Sequence, residues 1–480
     1  MLHFWGRPSC SGASGRMDLP VIDPPIFPRW IWIEEITYSH IPLATYITAC
    51  MVLAPVFEYI GWRRRDARYD RLAVGLIWFS LTLFSPGAAL GTGIPMWIMG
   101  TYPEFWSRWS NLFFWPLMAQ FVFFIFEVLF LFLLYYLLWN WSVNHKRLHI
   151  FLGAVAAFWG LMVQLVWDAV GGYMLTASRA LPGVDEPVAW SPQAFFNPSL
   201  PFLFSHRFVG NISWAMMVTG GVLGLRAVGK KPAEDRAYYN WASHLTFTIG
   251  LLAFFGMPVI GWFYAQVIGR HAPVAFHAIM GGHQAWMFIA KVALIGVFVA
   301  IGGAYVFLRY QSRLLLWGLT AGLGLLWVVL TIHPPLKWLG DSPWVWRGAY
   351  TALLAALAAL LWGIRGRWSV ETKGWKWAMF AAGLASFFAF CIGGMVREGA
   401  KNPHTVYGEL EKPEALPRER DRFLLYDRCV QCHHRTINEF NRYDHRRTWA
   451  DILGDANHRS VGKDADERDR LLRYLDRYYR

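Results

Sequence analysis

The sequence predicts an all-α fold: a polytopic transmembrane helix bundle of about ten spans, followed by a small soluble α-helical domain. Three observations predict it. The 480 residues are 55% hydrophobic and only 16% charged, where a soluble chain carries about a quarter charged residues. The apolar residues form blocks long enough to cross about 30 Å of hydrocarbon, without the spacing of surface helices. After Arg397 the composition turns abruptly charged and polar.

The blocks lie near 37–60, 72–91, 111–139, 149–176, 200–226, 241–268, 284–307, 313–332, 348–365 and 376–396. The 28 Trp, 35 Phe and 20 Tyr suit interfacial belts and large cofactors. The segments "WRRRDARYDR", "NHKRLH", "GKKPAEDR", "RYQSR" and "RGRWSVETKGWK" follow alternate blocks, and the remaining loops carry far fewer Lys and Arg. Basic loops face the cytoplasm, which sends both termini to the outer side. The net charge of +13 therefore reads as loop charge facing membrane lipid, with no nucleic acid as partner. No cleavable signal is apparent, and Cys10, Cys50 and Cys391 are scattered, so no disulfide framework is implied. The expected division is an outer N-terminal segment over 1–35, a membrane bundle over 36–397 and an outer soluble domain over 398–480. The expected place is the bacterial inner membrane.

The tail carries "CVQCHH". Two cysteines separated by two residues and followed by histidine are the peptide to which haem c is attached covalently. Cys429 and Cys432 would form the thioethers and His433 the proximal ligand. A zinc site would need a second ligand pair at regular spacing, and no second Cys pair exists. Attachment on the outer side of the bacterial membrane agrees with the topology drawn from loop charge. The following "TWADILGDANHRS" and the final amphipathic stretch look like the closing half of a small class I cytochrome c domain. No methionine follows Met395, so His458 is the expected sixth ligand. His445 is the second choice and a five-coordinate iron the third. A second histidine ligand lowers the reduction potential relative to methionine.

Histidines gather at the outer ends of spans. His40 begins the first, His206 begins the fifth, and His271, His277 and His283 surround the start of the seventh. Buried haem irons take such imidazoles as ligands. Glu127 sits in mid-span between Phe126 and Val128, where a carboxyl is neutral or paired and often relays protons. Glu58 borders the Arg63–Arg65 cluster and also reads as a helix-end residue at the headgroups.

The first span, "YSHIPLATYITACMVLAPVFEYIG", the third, "PLMAQFVFFIFEVLFLFLLYYLLW", and the fifth, "FNPSLPFLFSHRFVGNISWAMMVTGG", resemble in order and spacing subunit I of the cytochrome bd terminal oxidases. The resemblance covers about residues 30–400. It implies that His40 ligates a haem of an oxygen-reducing pair, with Glu58 eighteen residues later on the same helix. It implies that Glu127 lies on the proton path and that His206 ligates the haem facing quinol. The "GGMVREGAKNP" stretch is similar to a Gly-Arg-Gln-Pro segment of the family. Departures accompany it. The long hydrophilic quinol loop is missing, a haem-ligating glutamate falls at Cys391, and the methionine paired with the fifth-span histidine falls at Lys291. His283, Met287 and Lys291 are spaced four apart and share one helix face, so each is a candidate partner for the iron of His206.

Three functions follow as expectations. In the first, electrons enter through haem c from a periplasmic c-type cytochrome or dehydrogenase, reach haem b centres and reduce oxygen. In the second, the chain relays electrons between quinol and a cytochrome without reducing oxygen. In the third, it anchors a periplasmic oxidoreductase. The expected cofactors are one haem c and one or more haem b, with haem d an open option. A second membrane subunit, like the family's subunit II, is the expected partner.

Overall fold

The computed structural model describes residues 29–176, 189–229, 232–272, 285–310 and 369–398, and in the tail 448–454 and 465–478, with a few single residues between these stretches. The membrane part runs as α1 (Arg29–Arg64), α2 (Ala67–Thr101), α3 (Pro103–Leu112), α4 (Phe114–Val128), α5 (Lys146–Leu175), α6 (Pro192–Phe195), α7 (Leu200–Val228), α8 (Ala233–His271), α9 (Ala285–Tyr310) and α10 (Lys373–Glu398). Eight stretches among the described residues are long and apolar enough to cross a membrane, and no strand occurs among the described residues. The expected spans over 313–332 and 348–365 lie outside them. The all-α membrane bundle is therefore as the composition predicts.

Several boundaries differ from the sequence reading. α1 starts at Arg29, eight residues before the predicted block and inside the segment assigned to 1–35, because "RWIWIEEITY" holds amphipathic helix formers that hydropathy undervalues. The predicted third block is broken at Phe113: α3 ends there and α4 begins. α4 then continues as a π-helix over Leu129–Tyr136 and a 3₁₀ turn over Trp139–Val143. The α1–α2 turn is closed by Asp66, whose carboxylate accepts from the Arg68 N–H at 3.0 Å as an N-cap.

α7 is the centre of the bundle, packed against α1, α5, α8 and α10. Helices in lipid gain nothing from the hydrophobic effect and associate where small residues let backbones meet. A Cβ on Gly221 would lie 2.6 Å from the Phe380 Cα, and one on Gly383 2.9 Å from the Met217 carbonyl oxygen. On α8, a Cβ at Gly250 would lie 2.6 Å from the Ser213 carbonyl oxygen. α4 is the opposite case. Phe114, Trp115, Met118, Phe121, Val122 and Ile125 are all exposed, an apolar surface suited to lipid or another membrane chain.

In the tail, α11 (Trp449–Gly454) and α12 (Ala465–Tyr478) share a small core of Leu425, Cys429, Leu453, Leu471, Tyr474 and Leu475. Thr448 and Asp451 cap α11 reciprocally: the Thr448 hydroxyl donates to Asp451 at 2.6 Å and accepts from its N–H at 3.2 Å. Arg470 of α12 donates to Asp421 at 2.5 Å.

Gly383→Leu will lower the unfolding temperature in detergent and cost at least about 1–3 kcal/mol, the usual scale of overpacking. Gly75 is the contrary case, because a Cβ there would meet nothing within 4 Å. Gly75→Ala will leave stability equal or raise it by about 0.5–1 kcal/mol.

Candidate functional site

The antiparallel course of the helices sorts the polar residues to two ends of the bundle. One end holds His40, Asp168, His206, Arg207, Lys291 and Arg397. The other holds Glu58, Asp70, Lys146, His149, His244 and Lys376.

At the first end, His40 of α1 donates from Nδ1 to the Gly87 carbonyl of α2 at 2.8 Å. A carbonyl only accepts, so the proton is on Nδ1 and Nε2 keeps a bare lone pair. This is the second-sphere arrangement that metal-ligating histidines use. The neighbouring residue must be glycine: a Cβ on Gly91 would lie 2.7 Å from the ring Cε1. His206 of α7 has a buried Nδ1 with no hydrogen-bond partner among the described residues, a debt that a bound metal would settle. Gly261 of α8 faces that ring, 3.4 Å from Cε1 to the position of a Cβ. Both imidazoles thus fit a haem iron. Cys391 is half-buried and offers a thiol where the resemblance would have a glutamate.

A polar network flanks the two rings. Arg207 pairs with the fully buried Asp168 of α5. Gln164 donates to Asp168 at 3.1 Å and accepts from Asn211 at 3.0 Å. Arg207 is close enough to act electrostatically on His40. Arg397 donates to Glu398 at 2.5 Å, while its Nη1 is buried against Gly171 with no partner among the described residues.

At the opposite end, Glu58 is fully buried, which corrects its reading as a residue at the headgroups. It accepts from Tyr135 at 3.0 Å, from His149 Nδ1 at 2.7 Å and from Lys146 at 2.8 Å. His149 Nε2 meets the Tyr135 carbonyl at 2.8 Å. Both ring nitrogens face acceptors. Lys146 also reaches Asp70, at 3.0 Å, and so bridges two carboxylates.

Glu127 is buried too but has no hydrogen bond or ion pair among the described residues. Gly160 of α5 makes room for it: a Cβ there would lie 3.1 Å from its Oε1 and 3.2 Å from the Met51 methyl. The π-helix explains the alignment of this seam. Its wider turn brings Glu127, Leu131 and Tyr135, spaced by four, onto one buried face, and π-helical turns concentrate at functional sites. Glu58 and Glu127 therefore lie along one seam between α1, α4 and α5.

A second cluster joins α8, α9 and α10. Lys376, fully buried, stands 3.0 Å from His244 Nε2, the nitrogen that also faces Glu371 at 3.0 Å, while Nδ1 meets the Tyr305 hydroxyl at 3.1 Å. Sequence reasoning missed Asp168, Lys146, His149, His244 and Lys376. A charge inside an apolar block, as in "LVWDAV", was the available signal for Asp168. Of the other predicted residues, Met287 and Lys291 lie on α9, and Cys429 is buried in the tail core. His283, Cys432, His433, His445 and His458 lie outside the described residues.

Fold and site together define a polytopic helical membrane protein built around buried imidazoles and carboxyls, the class that includes membrane cytochromes. The chain belongs to the cytochrome bd terminal oxidase subunit I family, whose model matches residues 34–297. Proteins of this family bind haem b and haem d, use quinol and work with a second membrane subunit. Among solved structures, the bd oxidase from Geobacillus thermodenitrificans shares the fold, with a TM-score of 0.56 and 17% identity over 80% of this chain and 88% of that one. No curated protein matches the chain.

Glu58→Ala strands a buried imidazole and a lysine without their carboxylate. It will cost about 3–5 kcal/mol, read as a lowered unfolding temperature in detergent. Outside the spans, burial raises the Glu371 carboxyl, but Lys376 and His244 outweigh it and hold the group below its ordinary value. Its folded value being depressed, its stabilising effect is complete above the ordinary carboxylate range of about 4.3. That effect is lost as pH falls through the folded value. Glu371→Gln will therefore narrow the stability gap between the wild type at pH 7 and at pH 4.

Proposed function

We propose that the chain is a respiratory haem protein of the bacterial inner membrane that takes electrons from a periplasmic donor through a C-terminal haem c and reduces oxygen at haem b centres. The observation that carries the reading is the pair His40 and His206. They stand at the same end of the bundle, each with a ring nitrogen left for iron, in a chain of the bd oxidase family. When bound, the haems supply the one-electron steps and the oxygen chemistry.

The chain's residues supply position and protons. His40 would ligate one iron through Nε2, oriented by the Gly87 carbonyl. His206 would ligate another. Oxygen reduction consumes a proton for each electron, and Glu127 would carry protons inward along the seam toward His40. Glu58, with His149 and Lys146, would be the polar mouth of that seam. Cys429 and Cys432 would bind haem c by thioethers, with His433 and His458 on its iron. The segment 398–480 would then be an outer domain, both termini would face the periplasm, and 36–397 would be the haem b bundle. The lost quinol loop and the added haem c favour one explanation: the donor is a periplasmic c-type cytochrome or dehydrogenase.

A second reading, a relay between quinol and cytochrome, is favoured by Cys391, whose thiol stands in place of a glutamate ligand. A spectrum of the purified protein separates the readings. Haem b and haem c together, a haem b that binds carbon monoxide and oxygen uptake with a reduced cytochrome are expected. A haem b closed to carbon monoxide with no oxygen uptake would establish the relay, and haem c alone would leave an anchor. Cys429→Ser with Cys432→Ser will abolish covalent haem and the cytochrome-driven rate while leaving haem b content unchanged.

A further inference from the structure

Asp168 is a carboxylate inside an apolar stretch, "LMVQLVWDAVGGY", and nothing in the proton or electron path above uses it. It is fully buried on α5. Both of its oxygens are taken: Arg207 of α7 pairs with Oδ1, and Gln164 donates to Oδ2 at 3.1 Å. The Gln164 carbonyl in turn accepts from Asn211 of α7 at 3.0 Å. Gln164 and Asp168 are four apart on α5, and Arg207 and Asn211 are four apart on α7, so each pair shares one helix face. The contacts are two rungs between antiparallel helices, Asp168 with Arg207 and Gln164 with Asn211.

This ladder fixes how α7 is turned. Successive residues of an α-helix are about 100° apart, so turning Arg207 to α5 turns His206 away from it. The His206 ring accordingly lies on α8, with Cε1 3.4 Å from the position of a Cβ on Gly261 and the ring centroid 6.2 Å from that of Tyr264. The guanidinium and the imidazole leave α7 from adjacent residues, whose Cα atoms are about 3.8 Å apart. An iron held by His206 would therefore have a fixed cation for a neighbour, and Asp168 is the acid that neutralises it. The other guanidinium at this end, Arg397, has its own acid, Glu398, at 2.5 Å. Packing alone does not call for the pair, because replacing a buried ion pair by apolar residues is often neutral or stabilising.

We propose that Asp168 is a positioning residue that sets the reduction potential of the haem held by His206, by neutralising Arg207 beside it. The inference rests on the haem reading of His206. Reduction adds one electron, taken from the donor, to ferric iron and removes one positive charge from the haem. A bare cation nearby favours the reduced form, and burial strengthens that influence. The Asp168–Arg207 pair carries no net charge and leaves the balance to ligation and burial, the other levers on a haem. Asp168 therefore keeps the potential lower than Arg207 alone would set it.

The test is redox potentiometry, followed by visible spectroscopy, on the full-length protein purified with its haems. The His206 haem is assigned as the haem b signal missing from His206→Ala. Asp168→Asn keeps the shape and can still accept from Gln164. It should raise the midpoint potential of that haem while leaving its spectrum and the haem count unchanged. Asp168→Glu should hold the potential near that of the wild type. Asp168→Asn combined with Arg207→Gln should bring it back down, because the ladder is again without net charge. A purely structural pair would lower the unfolding temperature without moving the potential, and that result sinks the proposal. So does a double variant shifted as far as Asp168→Asn alone. If Asp168→Asn loses the haem, Arg207→Gln decides at pH 8: left with a carboxylate alone, its potential should fall, and no fall overturns the proposal. A wild type with no haem b, or a His206→Ala protein that keeps every haem b, would refute the haem reading of His206 itself and the proposal with it.

Discussion

The near-contact of α7 with α8 and α10 is the constraint on which the rest of the bundle depends. Gly221, Gly250 and Gly383 remove the side chains that would hold these backbones apart. In a membrane no hydrophobic force draws helices together, so close van der Waals contact must supply much of the association. Once α7 is locked between its neighbours, the His206 ring is committed to the face of α8 at Gly261 and Tyr264. The glycine seam toward the opposite end thus decides what the His40–His206 end presents.

The two ends solve the problem of polar groups in hydrocarbon differently. Around Glu58 and around Lys376 each cation has an acid and each acid a donor. These clusters are closed, and a buried charge is tolerable only on those terms. The end that carries His40 and His206 is left open. There an imidazole nitrogen of His206 and a guanidinium nitrogen of Arg397 lack partners among the described residues, and the Lys291 amine faces a glycine and the edge of a ring's reach.

Glu58 and Glu127 show how environment divides like residues into unlike roles. Both are buried along one seam. Glu58 is held by three donors and is fixed as a carboxylate anchor. Glu127 is held by none among the described residues and has a glycine beside it, so no network fixes its carboxyl. The π-helix that follows Glu127 puts Tyr135 over Glu58 while keeping Glu127 on the same face.

The sequence by itself determined the class: long apolar blocks can be satisfied only as helices in a bilayer, where backbone groups must pair within the segment. It also marked His40 and His206 as candidates through the family resemblance and Glu127 as a carboxyl in mid-span, and it singled out the CxxCH peptide, whose spacing is local. The closed clusters were invisible, since Glu58, Lys146 and His149 come from helices distant in sequence and each alone looks like a residue at a helix end. The break at Phe113 and the π-helix were equally hidden, because hydropathy does not distinguish one helical hydrogen-bond pattern from another. Side-chain partnership across helices is a property of their relative rotation and depth, and tertiary packing alone decides it.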